Sequence, residues 1–164
     1  MKMRRILDFF LVALSLILTA CEPEKKNGPV TYSVAYHYVY NSEKLRSQGS
    51  NHGMKPSADG NLLARPAVQS QREMNFLFLP SSDGAIPTPI DFEQNFAIAV
   101  VLPETELDTE IVPGALYATA DELVFQYTLR HGAVLDEPMQ PTAIIVVDRQ
   151  YERSAVRTQR IDPY

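Results

Sequence analysis

Phe96-Ala97-Ile98-Ala99-Val100-Val101-Leu102 is an unbroken apolar run of seven residues between Asn95 and Pro103. It is too short for a typical helix and rich in side chains that favour extended backbone, so it predicts a central strand covered on both faces. Thr142-Ala-Ile-Ile-Val-Val147 reads the same way, as a second buried strand. Between them, Ile111–Ala120 and Leu123–Leu129 read as two strands of a hairpin joined at Asp121-Glu122, the second with Leu123, Phe125, Tyr127 and Leu129 alternating against Val124, Gln126 and Thr128, and Pro113 limits the first to a sheet edge or a late start. Ala155 to Ile161 reads either as a short edge strand or as a loosely held segment. Glu104–Glu110, an acidic exposed stretch, and Arg130–Pro141, with a glycine and two prolines, read as connections.

Upstream, Thr31–Tyr40 has strict period-two patterning, which predicts one strand with Tyr32, Val34, Tyr36, Tyr38 and Tyr40 on a single face. Ser70-Gln-Arg-Glu73 has the form of a capping box, and Met74, Leu77 and Phe78 follow at helical spacing, so a two-turn helix ended by Pro80 is expected. Asn41–Leu62 has few large apolar residues with which to offset the cost of ordering, and reads as a long mobile loop. The sum is a mainly β chain with one short helix (α+β), folded as a compact antiparallel or mixed sheet in a sandwich or barrel-like domain.

The first 20 residues have a different character. Lys2, Arg4 and Arg5 precede an apolar run from Phe9 to Leu18, too short to span a bilayer of about 30 Å. Leu18-Thr19-Ala20-Cys21 follows, and Cys21 is the only cysteine of the chain. This stretch resembles the lipobox of bacterial lipoproteins. The resemblance implies cleavage before Cys21, a diacylglycerol on its sulfur and an acyl chain on its new amine. The division expected is therefore a signal peptide at 1–20, a polar tether at 21–29 and a single β-rich domain at 30–164. Glu22 stands where enterobacterial inner-membrane lipoproteins carry an aspartate, which points to the outer membrane.

Removing Lys2, Arg4, Arg5 and Asp8 from 15 basic and 20 acidic residues leaves 12 against 19. A domain this acidic is unsuited to a phosphate backbone, so no nucleic-acid partner is expected. No nucleophile elbow, phosphate-cradling loop or His-Glu-x-x-His pattern occurs in the sequence, and no cofactor or metal is expected. His37, His52 and His131 have no partners at ligand spacing, and Asp91 reads as a turn residue. Glu104, Glu106, Asp108 and Glu110 alternate, which suits a solvated acidic edge better than a calcium site.

The capped helix at Ser70–Phe78, Ile90-Asp91-Phe92 ahead of an apolar strand, the Asp121-Glu122 hairpin and Gln140-Pro141 before the last apolar strand form an ordered set. Over residues 67–148 this order is similar to the C-terminal domain of the PrcB family, small β-rich bacterial envelope proteins linked by name to a protease complex. The chain departs from that family at Pro103–Glu110, where a glycine-rich turn is replaced by an acidic stretch. The resemblance implies an accessory module that binds an envelope protein, with a protease as the partner class, and the missing motifs argue against an enzyme. The alternative is a small-molecule or glycan binder that uses Tyr32, Tyr36 and Tyr38 as a stacking face. A hydrolase would need histidines and carboxylates brought within hydrogen-bond reach.

Overall fold

The computed structural model describes residues 27–43, 57–153 and 155–161. In chain order they form β1 (Gly28–Pro29), β2 (Ser33–Ala35), β3 (Tyr38–Tyr40), β4 (Ala67–Val68), α1 (Gln71–Leu77), β5 (Phe78–Pro80), β6 (Asn95–Val101), β7 (Thr105–Ala118), β8 (Glu122–Met139), β9 (Thr142–Asp148) and β10 (Ala155–Arg160). One sheet has the order β1-β7-β8-β10 and a second the order β2-β9-β6-β4, while β3 and β5 make a separate pair. Strands account for 54% of the structure, and neither large sheet closes into a barrel.

β6 sets the layers. Phe96, Ile98 and Val100 point to the first sheet, where they meet Leu116, Phe125 and Tyr127. Ala97, Ala99 and Val101 point the other way, to Val68, Met74, Phe78 and Ile90. These six β6 side chains are fully buried. The mainly β sandwich with one short helix is therefore as the sequence predicts, with α1 and the β3–β5 pair as an extra layer on the outer face of the second sheet.

The Ser70 hydroxyl caps α1 by accepting from the Glu73 N–H at 3.2 Å. The Glu73 carboxylate reaches back one residue beyond the cap, to the Gln69 N–H at 2.8 Å. Only Met74 of the helix is fully buried. The helix stops at Leu77, before Pro80, because the chain turns extended at Phe78 to pair β5 with β3.

Four other sequence expectations are corrected. Thr31–Tyr40 is two strands rather than one, since His37 adopts a left-handed φ of 66°. The break reverses the pattern: Tyr32 and Val34 pack on the first core, Tyr38 and Tyr40 on the second. Gly28 and Pro29, placed in the tether, instead pair with Ala118 and Tyr117 at the edge of the first sheet. The hairpin is longer than expected. β7 and β8 take in Thr105–Glu110 and Arg130–Met139 as a two-stranded arm, in which Glu110 pairs with Arg130 across the ladder. The ladder slips between Pro113 and Leu116, at Gly114, where a Cβ would lie 2.9 Å from the Gln126 carbonyl oxygen.

The last correction concerns the expected loop at 41–62, of which residues 44–56 lie outside the described residues. Its final part is ordered by a side-chain amide. Asn61 is fully buried; its amide nitrogen donates to the Ala99 carbonyl at 3.1 Å and the Thr158 hydroxyl at 3.2 Å. Its oxygen accepts from the N–H of Leu63 at 3.1 Å and of Val101 at 3.0 Å. Ahead of Ala67, where β4 begins opposite Ile98, this amide serves the β6 edge as a peptide group would.

Tyr40 makes the opposite case. Its ring lies 6.0 Å from that of Phe78, edge to face, yet its buried hydroxyl has no hydrogen-bond partner among the described residues. Tyr40→Phe should therefore leave stability unchanged or raise it by about 1 kcal/mol, measured by urea unfolding. A loss of similar size would show that the hydroxyl is satisfied.

Candidate functional site

A groove lies between two strands whose pairing stops short. The kink at His37 lifts the chain off β9 after Ala35, which pairs with Ile144. The kink is pinned from the other side: the His37 carbonyl accepts from Ser81 N–H at 2.9 Å, and the Tyr36 carbonyl from Thr88 N–H at 3.1 Å. Opposite, β7 runs on past its short partner β1 toward the arm. Between them lies a groove of about 490 Å³, walled by Tyr36, His37 and Tyr38 on one side and by Asp108–Ile111 and Pro113 on the other. Met139, Thr142 and Ala143 complete it.

The expected stacking face of Tyr32, Tyr36 and Tyr38 is not a single surface. Tyr32 belongs to the core, edge to face with Phe125 at 5.8 Å, and its hydroxyl donates to the Gly114 carbonyl. Burial raises its pKa above the ordinary tyrosine value. Tyr36 is 60% exposed. Tyr38 is half-buried beside it, with its hydroxyl donated to the Thr88 carbonyl at 2.7 Å and its pKa likewise raised by burial. Two of the three rings thus border the groove, Tyr36 exposed and Tyr38 engaged through its hydroxyl.

The other candidates are dispersed. Cys21 and His52 lie outside the described residues. His131 Nδ1 is 2.9 Å from the Thr109 hydroxyl on the arm, while His37 faces Asp83 at 3.2 Å. Asp91 accepts from the Glu93 N–H, the turn role expected of it. Among the described residues, no three His, Cys, Asp or Glu side chains are grouped to hold a metal ion. Of the alternating acids, Asp108 and Glu110 border the groove, and Glu110 is held by Arg130.

Thr109 and Met139 are site residues that the sequence reading passed over. Thr109 is buried, and its N–H donates to the Met139 sulfur at 3.4 Å, tying the two ends of the arm together. The usable signal was the alternation of Leu107, Thr109 and Ile111 with Glu106, Asp108 and Glu110, which is a strand pattern.

The turn supporting the kink is built on Asp83. Its carboxylate accepts from the Ser81 hydroxyl and the Ala85 N–H and faces His37, and these contacts, the Ser81 bond foremost, lower its pKa to about 2. A carboxyl with a depressed folded pKa stabilises above its unfolded value, near 3.8, and that contribution is lost as pH falls toward 2. The Ala85 amide resonance should accordingly titrate with a midpoint near 2. In Asp83→Asn that titration should vanish, and its persistence would assign it to another group.

Comparison with protein-family models, curated proteins and solved structures finds no match for this chain.

Proposed function

We propose that the chain is a lipid-anchored protein of the bacterial envelope, held in the outer membrane through Cys21, that acts by binding another envelope protein rather than by catalysis. A protease is the partner class suggested by the resemblance of residues 67–148 to the PrcB C-terminal domain. The observation that carries the binding reading is an apolar pair at the arm. Leu107 and Val134 face each other across the ladder and are 36% and 73% exposed. Side chains of this kind, placed together on a projecting ladder, suit a protein contact.

Position supports the same reading. The chain joins the first sheet at Gly28, against Ala118, and the arm ends at Thr105 on the same strand. At about 3.3 Å per residue, that separation is up to about 40 Å, so a lipid at Cys21 would hold one end of β7 and leave the other free.

A Leu107→Ser/Val134→Ser double variant should keep the fold, because both residues are exposed. Purified from cross-linked envelopes with its anchor intact, wild type should carry a stoichiometric protein partner and the variant should lose most of it. Equal recovery by both, or no partner with wild type, would overturn the proposal. The second reading, a small-molecule or glycan binder, is favoured only by the presence of Tyr36 and Tyr38 at the groove. It predicts that Tyr36→Ala, and not the double variant, abolishes binding.

A further inference from the structure

We infer that the groove receives an extended, basic segment of the partner, which adds as a strand to the outer edge of β7 between Asp108 and Val112. The inference deepens the protein-binding reading and rests on it. β7 has β8 on one side; on the other, β1 pairs only with Tyr117 and Ala118, and the Val30 N–H adds one bond to the Leu116 carbonyl. Tyr32 occupies the Gly114 carbonyl, and Pro113 has no N–H, so these two residues mark where an added strand must stop. Upstream of them, no strand covers this edge among the described residues; the Thr109 N–H donates to the Met139 sulfur at 3.4 Å, a weak bond that an added strand would displace.

A second strand edge borders the same groove. β2 pairs with β9 at Ile144, Ile145 and Val146, and the kink at His37 leaves Ala143 and Thr142 with no strand on that side among the described residues. The groove between the two edges measures about 490 Å³. Exposed strand edges are ready templates for another chain and are usually blunted by lysine, proline or a covering element. Here the proline stands at Pro113, and upstream of it the edge carries only the Met139 sulfur on the Thr109 N–H.

Charge selects the occupant. The arm from Glu104 to Glu110 and from Arg130 to Met139 carries six carboxylates and one guanidinium. Asp108 and Glu110 both border the groove, and Glu110 is paired with Arg130. On an added strand, residues beside Asp108 and Glu110 would share their face, where Lys or Arg is favoured and acids are repelled. Alternate residues would turn toward Thr109 and Ile111, where small apolar side chains fit. A second copy is a poor occupant, because the full chain carries a net charge of −5 and would bring the same carboxylates.

The test uses the full lipidated chain in detergent and three capped hexapeptides: alternating Lys-Val, alternating Glu-Val, and Lys-Val with alternate backbone nitrogens methylated. The Lys-Val peptide should bind and shift the amides of residues 108–112 and 142–143. N-methylation on the pairing side, or Asp108→Lys in the protein, should weaken it by about tenfold or more. Equal binding of the Glu-Val peptide, insensitivity to methylation on either alternate set, shifts confined elsewhere, or self-association through residues 108–112 would each overturn strand addition. If an envelope protein cross-links to the arm while no basic peptide binds, strand addition falls and the protein-binding reading stands. If the peptide binds at this edge but no envelope partner is recovered, the protein-binding reading falls and the preference of the edge for basic strands stands.

Discussion

Asn61→Ala should cost about 3–5 kcal/mol of folding stability, a large share of what a domain of this size possesses. The wild-type amide uses both donors and two acceptor sites on the Ala99 carbonyl, the Thr158 hydroxyl and the N–H groups of Leu63 and Val101. Truncation leaves those groups buried against a β6 edge that β4 no longer covers. Each such orphan costs about 1–3 kcal/mol, and partial access by water keeps the total below the simple sum. Asn61→Asp should be comparably harmful although it is nearly isosteric. A carboxylate cannot donate to Ala99 or Thr158, and burial disfavours its charge. Urea unfolding measures both variants; a loss below about 1 kcal/mol for either would mean that the edge is closed by something other than this amide.

Cys21→Ser is expected to leave unfolding unchanged and to abolish membrane attachment through lipid. A lipid anchor gains about 0.8 kcal/mol for every buried CH₂, far more than Lys25 and Lys26 would replace at about 1 kcal/mol per charge near an anionic surface. The variant should either hang by its uncleaved signal or become soluble after cleavage elsewhere. Labelling with a radioactive fatty acid separates the cases: wild type takes up label and the variant does not. Equal labelling of both, or of neither, would remove the anchor and the envelope location with it.

What the sequence made legible was the part of the fold governed by long, uniform patterns. The seven apolar residues at 96–102 have no polar member to place outside, so burial on both faces was the only economical reading. The capped helix was legible because Ser70 and Glu73 act within a few residues of themselves. What was hidden depends on contacts distant in sequence. The break at His37 is enforced by Ser81 and Thr88, and nothing within Thr31–Tyr40 announces it. The order of residues 57–62 comes from one polar side chain, whereas the sequence reading counted apolar ones. The arm was missed because Gly132 and Pro138 suggested a loop, although Glu110 and Arg130 lie on facing strands. The candidate groove was therefore visible only as fragments, two tyrosines in one segment and two acids in another.

The central claim is that the chain is anchored at one end of β7 and meets a protein partner at the other. Site-specific photocross-linking in intact cells tests it most directly, with the probe placed at Val134 on the arm or at Asp121 in the hairpin turn near the tether. The account predicts one discrete protein adduct from Val134 and none of that mass from Asp121. The same adduct from both positions, or an adduct from Asp121 alone, would contradict it.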